Sequence, residues 1–324
     1  MQVKYKLAGI AALLLTLGLL TYGQNGMPQV SDSVRTVSVI KKDTASAPVI
    51  LQRVKPARKQ VLKKTVAVSQ VAKAVCDTAT TLPDNGFLPD TILAKGPDGE
   101  LRIRFRNAVY DCVVVDLDKC NIAMHLRNKK GNKYNSIGNV LHDSVLAGLR
   151  VIMVTNAGMY TAATDPQGLF IEQGIKISPA DTSTVGIADN FHLKPNGVFY
   201  MDSTGAHIDT TEAFIKNIKH RVYYATQSGP MLVVNNQLHH AFREFSKNLN
   251  IRSGVGVVNA GKAVFCISRE PVNFYDFASL YKYYFKCHYA LYLDGAISRM
   301  YLPALKSNDT GGNFGPIISV TKKK

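Results

Sequence analysis

The sequence predicts an α+β fold: a central mixed or antiparallel twisted sheet with a few flanking helices, in a single domain. Three observations predict it. From about residue 100 the chain breaks into many short apolar or alternating runs separated by turn residues, the spacing of strands. Only two stretches carry helical periodicity. The 46% of hydrophobic residues in a chain of 324 is enough for a sizeable core.

The chain divides unevenly before that point. Lys4 and Lys6 precede an uncharged, mostly apolar run from Leu7 to Leu20, short for a spanning helix, and Thr21-Tyr22-Gly23 offers small residues before a cut. Residues 1–23 therefore read as a signal peptide, with an uncleaved N-terminal anchor as the alternative. A periplasmic or secreted location is expected, or a membrane-anchored one if the segment stays. Residues 24–95 read as a basic linker without sustained periodicity, able to touch a membrane or anionic envelope polymers. The net charge of +16 belongs largely to the ends: residues 1–75 hold twelve Lys or Arg against Asp32 and Asp43, and Lys322 to Lys324 add three. Nucleic-acid binding wants its basic residues on a folded face, so no nucleic-acid partner is expected.

The folded domain is expected over 96–324. Leu101 to Phe105 alternates as a half-buried strand should. Strands follow at Tyr110–Leu117 and Asn121–Leu126, around a turn at Asp118-Lys119. Ser136 to Leu149 has helix-like apolar spacing. Val151–Val154 is a buried strand that ends in Asn156-Ala157-Gly158-Met159-Tyr160. Gly168 to Gly174 is a short strand with a turn, and strands are expected at Val198–Met201, Tyr223–Thr226 and Met231–Val234. Val255–Val258 and Ala263–Ile267 read as a hairpin. Asn273 to Phe285 is the clearest helix: Asn273 is a good N-cap, and Phe274, Phe277, Tyr281, Tyr284 and Phe285 share a face. It delivers a buried strand over 289–293, then Asp294-Gly295, and a further strand-like run from Arg299 to Leu302. An Asp-Gly hairpin is the plain alternative at that point.

Of the five cysteines, Cys112 and Cys120 are placed to bridge neighbouring strands, Cys266 reads as a core thiol, and Cys76 and Cys287 pair or stay free. Their spacing matches no zinc pattern. There is no glycine-rich phosphate loop before a helix and no His pair at metal-ligand spacing, so neither metal nor cofactor is expected. His239-His240 reads as a surface doublet.

Polar residues recur where apolar runs end: Asn156, Glu172, Gln227-Ser228, Arg252, Asp294 and Ser298. Each has a structural explanation of its own, such as a cap, a turn or a solvent-facing position. In series they suggest a polar cleft at one edge of a sheet, with Gly158, Gly229 and Gly295 permitting close backbone approach. Ser228 lacks the flanking glycines of a nucleophile elbow, which weakens a serine-hydrolase reading.

Four motifs in order, Asn156-Ala157-Gly158-Met159-Tyr160, Gln227-Ser228-Gly229-Pro230-Met231-Leu232-Val233, Arg252-Ser253-Gly254-Val255-Gly256-Val257 and Ala290-Leu291-Tyr292-Leu293-Asp294-Gly295-Ala296-Ile297-Ser298, give the chain from about 150 to 320 a resemblance to the phosphodiester glycosidase family. The resemblance implies hydrolysis of a sugar-1-phosphodiester at the anomeric centre, with a carbohydrate or sugar phosphate as partner. A phosphate is a good leaving group, so one principal carboxylate can suffice. On this reading Asp294 is that carboxylate and Glu172 the second. Arg252 binds the phosphate, and Asn156, Gln227, Ser228 and Ser298 hydrogen-bond the substrate. The family usually carries Asn-Gly-Gly-Phe and Leu-Asp-Gly-Gly, where this chain has Ala157 and Ala296. Those two methyl groups are expected to narrow the cleft, and a glycan- or phosphate-binding module without turnover is the second reading.

Overall fold

A computed structural model describes residues 89–143, 145–184 and 189–324. The leader run and most of the linker lie outside the described residues. Among those described, no helix is long and apolar enough to cross a membrane.

The strands form three sheets, and every pairing within them is antiparallel. The largest has eight strands, in the order β1 (Thr91–Lys95), β2 (Glu100–Phe105), β3 (Ala108–Asp116), β14 (Lys262–Ser268), β13 (Ser253–Asn259), β15 (Tyr289–Asp294), β11 (Met231–Val234) and β12 (Gln237–Leu238). A second has five: β7 (Ile175–Ser178), β6 (Phe170–Glu172), β10 (Tyr224–Ser228), β8 (Gly197–Asp202) and β9 (Gly205–Thr210). The third also has five: β17 (Ser307–Asn308), β16 (Met300–Leu302), β5 (Val151–Asn156), β18 (Ile317–Lys322) and β4 (Cys120–His125). The α+β class holds, with the strands shared among three sheets.

Side-chain alternation explains the layering. On β14, Ala263, Phe265 and Ile267 face a core built with Phe199 and Phe170 of the second sheet and Met124, Met300 and Ile318 of the third. Val264 and Cys266 face the opposite way, into a layer closed by Phe274, Phe277 and Tyr281. Each smaller sheet likewise turns its outer face to a short helix. Ile137 and Val140 of α1 (Ile137–Leu141) cover Val154 and Ile317, and Phe214 of α2 (Thr211–Asn217) covers Val198 and Tyr200.

The expected helix after Asn273 is α3 (Phe274–Ser279), which continues as a π-helical turn over Leu280–Tyr284. Asn273 caps it: its Oδ1 accepts from Asp276 N at 2.8 Å. The helix expected over 136–149 is shorter than its periodicity suggests, because α1 stops at Leu141. Thr91–Lys95, which the sequence placed in the linker, is the edge strand β1 on β2. The turn at Asp118-Lys119 does not close a hairpin, since β3 and β4 belong to different sheets. Cys112 and Cys120 accordingly stay apart and free, and Cys112 lies opposite Cys266 instead. His239 is buried, and its Nε2 lies 3.0 Å from Lys194 O. The doublet is therefore only half a surface feature.

Candidate functional site

The three sheets converge where β15, β10 and β5 end. Ser228 Oγ, at the end of β10, donates to Leu293 O of β15 at 2.8 Å. Gly158, just past β5, donates its N–H to Thr226 Oγ1 of β10 at 3.1 Å. Asn156 Oδ1 accepts from Arg299 N at 3.0 Å, which ties β5 to the segment after Asp294. Gly158 is required by this approach, because a Cβ there would lie 2.2 Å from Gln227 O.

Asp294 stands at this junction. Ser253 pairs with Asp294 while the next residue, Gly254, pairs with Tyr292. Leu293 is thus the extra residue of a β-bulge, which breaks the alternation of β15 immediately before Asp294. The Asp294-Gly295 pair does not close a hairpin: β15 belongs to the eight-stranded sheet and β16 to the third. The segment between them folds tightly. Ser298 N donates to Gly295 O at 2.7 Å, and the Ser253 and Ser298 hydroxyl oxygens lie 2.8 Å apart. The Asp294 carboxylate accepts one bond, from Gly295 N at 2.7 Å. Burial pushes its pKa up to about 6 against that single opposing bond. The Tyr160 hydroxyl, pushed up to about 12 by burial and then by the charge of Asp294, shares this electrostatic neighbourhood and donates to Asn313 O at 2.8 Å.

Two clefts flank the segment after Asp294. The larger, of about 460 Å³, is lined by Tyr160, Thr161, Ile297, Asn313 and others. The smaller, of about 280 Å³, contains Ser298 and Arg269, and both clefts include Ala296 and Arg299 in their walls. Asn156, which lines neither cleft, is 1% exposed, and its Nδ2 has no hydrogen-bond partner among the described residues. Its amide orientation is fixed by Arg299 N, so the unmatched group is the NH₂, a donor awaiting an acceptor.

Other residues expected at the site are engaged elsewhere. Gln227 is buried and its amide is saturated: Oε1 accepts from Leu169 N and Asp181 N, both at 2.9 Å, and Nε2 donates to Asp181 O at 2.6 Å and Thr211 Oγ1 at 3.1 Å. It fastens the second sheet. Arg252 is 1% exposed. Its guanidinium lies 3.6 Å from the Phe274 ring centroid and donates to Val272 O at 2.8 Å and Asn248 O at 2.9 Å. That fork faces the protein's own backbone, and burial pulls its pKa down. Gly229 forms a cis peptide with Pro230 at the turn into β11, against Phe191 and Asn196. Ser228 positions β15 through its bond to Leu293 O. Gly295 lies close to the Tyr292 hydroxyl, 2.6 Å from where a Cβ would stand.

Glu172 is the clearest displacement. It ends β6, whose Phe170 pairs with Thr226 and Ile171 with Ala225. It therefore sits beside Tyr224, at the far end of β10 from Ser228. Four residues at about 3.4 Å each put about 14 Å of strand between the two ends. Paired glycosidase carboxylates stand ~5–9.5 Å apart. Burial pushes the Glu172 pKa up to about 7, opposed by a bond from the Leu126 backbone, but its neighbours are Tyr134 and Tyr224. Ala157 has also changed its meaning. Its methyl is fully buried in the shared core and lies outside both clefts, whereas Ala296 lines both.

Tyr160 and Arg299 join the candidate site through the structure, as residues lining the clefts. Each sits within or beside a motif already singled out, two residues after Gly158 and one after Ser298. Among the described residues no group of three or more His, Cys, Asp or Glu side chains could hold a metal ion.

The fold and this junction define a class. The phosphodiester glycosidase family model matches residues 150–317, and the chain belongs to that family. Among curated proteins it is similar to the uncharacterized protein YigE of Escherichia coli (strain K12), 35% identical over 203 residues that cover 62% of this chain and 78% of that protein. Among solved structures it aligns with the catalytic domain of zebrafish N-acetylglucosamine-1-phosphodiester alpha-N-acetylglucosaminidase, auto-inhibited by its pro-peptide, at 11% identity and a TM-score of 0.47, covering 75% of this chain and 85% of that one. A hypothetical protein from Synechocystis aligns at 12% identity and a TM-score of 0.43, over 69% of this chain and 62% of that one.

Proposed function

We propose that this protein hydrolyses a sugar-1-phosphodiester, with Asp294 as the carboxylate at the anomeric centre. The supporting observation is the Asp294 carboxyl itself, held up to about 6 by burial at the meeting point of three sheets, with one backbone bond, two residues before a segment that lines two clefts. Above that pH it carries a charge that water does not solvate well, suited to stabilising an oxocarbenium-like centre or activating water. Because Glu172 is remote, the reaction proceeds without a second acidic side chain at the scissile bond. A phosphate leaving group makes that possible. Ser298 supplies a hydroxyl on the smaller cleft, and Asn156, buried behind it, holds the segment in place through Arg299 N. The substrate is a glycan-type phosphodiester of the envelope or the extracellular space, consistent with the leader-like start of the sequence.

The test is sugar release by the purified protein from a panel of α-glycosyl phosphodiesters and ordinary aryl glycosides, with Asp294→Asn alongside. Release confined to the phosphodiesters and lost in the variant supports the reading. Ala296, on both cleft walls, is the observation that keeps a binding module in view. Glycan binding that depends on Asp294, with wild type and variant equally inert, would replace the hydrolase with that module.

A further inference from the structure

The smaller cleft carries an arrangement of charge that the carboxylate chemistry does not use. Asp111, on β3, has a side chain 1% exposed and takes three guanidinium bonds. Arg102 donates to it at 2.7 and 3.0 Å, and Arg269 at 2.8 Å. Across the cleft Arg299 donates through Nη1 to Asp309 at 3.1 Å. Arg269 and Arg299 line the cleft with Asp111 and Asp309, and Arg102, outside the lining, supplies a second guanidinium to Asp111. Arg269 and Arg299 are the two whose side chains stay open, 44% and 50% exposed. Each spends one terminal nitrogen on its carboxylate, and the rest of each fork has no acceptor among the described residues. A guanidinium has five donors in a fixed plane, so both present a free edge. The anchor on Asp111 fixes one of them before any ligand arrives. Ser298 and Ser307 add hydroxyls to the same wall.

From this we infer that the smaller cleft is a phosphate subsite, in which Arg269 and Arg299 together hold the phosphoester of the ligand. Arg252 cannot serve, because its donors are turned into the protein. Arg299 lines both clefts, so the ligand lies across the segment after Asp294, with its sugar in the larger cleft and its phosphate in the smaller. The placement of the sugar rests on the proposed function; the phosphate subsite does not.

The experiment is equilibrium binding to the full chain carrying Asp294→Asn, so that turnover does not intervene. The probes are inorganic phosphate, an α-glycosyl 1-phosphate and the neutral methyl glycoside. Arg269→Ala and Arg299→Ala are each expected to weaken both phosphate probes tenfold or more and leave the methyl glycoside unchanged. Arg269→Gln retains a donor for Asp111 and guards against a folding defect. Arg299→Ala loses only an exposed partner and should melt as the parent does. Phosphate affinity unchanged in the folded Arg299 and Arg269 variants overturns the inference. If no phosphodiester is ever cleaved but phosphate binding follows the two arginines, the hydrolase reading falls and the subsite stands. Cleavage with arginine-independent binding is the reverse.

Discussion

Asp294 and Glu172 look alike one at a time. Each ends a strand, each is partly buried, and burial raises each pKa, to about 6 and about 7. Their surroundings separate them. Around Asp294 three sheets end together, a bulge interrupts the strand, and the segment two residues on lines two clefts. Around Glu172 there are two tyrosines and the Leu126 backbone. A displaced pKa therefore reports desolvation, and only the company a carboxylate keeps makes it a site.

The largest expected effect breaks or sustains this contrast. Asp294→Asn should lower kcat/KM on an α-glycosyl phosphodiester by about 10³-fold or more, the scale of a lost transition-state charge. Glu172→Gln should leave it within about twofold on the same scale. In wild type, kcat/KM should rise with pH through about 6 as Asp294 ionises. A Glu172 variant as inactive as the Asp294 one would dissolve the contrast.

Next in size is the residue between the two ends. Gln227 looked like a ligand-binding amide, but its four bonds hold β10 to Leu169, Asp181 and Thr211. Gln227→Ala should destabilise the protein by about 3 kcal/mol, since several buried partners lose their match at once. Urea unfolding checks this: the midpoint should fall while the slope is kept. A variant of normal stability that no longer binds substrate would return Gln227 to the site.

A smaller effect tests what the two carboxylates share. Each binds a proton more tightly folded than unfolded, where the ordinary values are 3.8 and 4.5. The folded state therefore holds more protons in between, and stability falls as pH rises from about 4 to about 7. Neutral Asp294→Asn and Glu172→Gln should each gain on the order of 2 kcal/mol at pH 8, with the gain vanishing near pH 4. Thermal melts at the two pH values would show it. Asp294→Asn should then be more stable and inactive, Glu172→Gln more stable and active.

Much of the fold was legible because it is local. The alternation of Ala263 to Ile267, the cap at Asn273 and the aromatic face after it need no distant partner to be read. β18 was missed because its neighbours β4 and β5 lie far back in the chain, and nothing in Ile317–Lys322 names them. The supposed bridge from Cys112 to Cys120 failed for the same reason: eight residues of spacing do not show that the chain changes sheets between them. At the site, Asn156, Asp294 and Ser298 were legible as polar residues at the ends of apolar runs. Gln227 and Arg252 have the same signature, yet their polar atoms turn inward. Residue type gives the number of donors a side chain carries, and only the packed structure shows how many are already used.

The smallest expected effect separates the two alanines that stand where the family usually has glycine. Ala157 lies in the shared core and its N–H donates to Pro316 O at 2.9 Å. Ala157→Gly deletes a buried methyl and frees the backbone, so it should cost about 1 kcal/mol of stability and leave KM unchanged. Ala296 lines both clefts two residues after Asp294, so its methyl would meet a ligand bound as proposed. Ala296→Gly should change KM for phosphodiesters by a few-fold, about 1 kcal/mol or less, and shift the preference among sugars of different bulk. Steady-state kinetics over a sugar panel, with a melt of each variant, resolves the pair. A change in sugar preference from Ala157→Gly, with none from Ala296→Gly, would mean that the ligand enters from the β5 side and that the clefts around residues 296–299 are not where it binds.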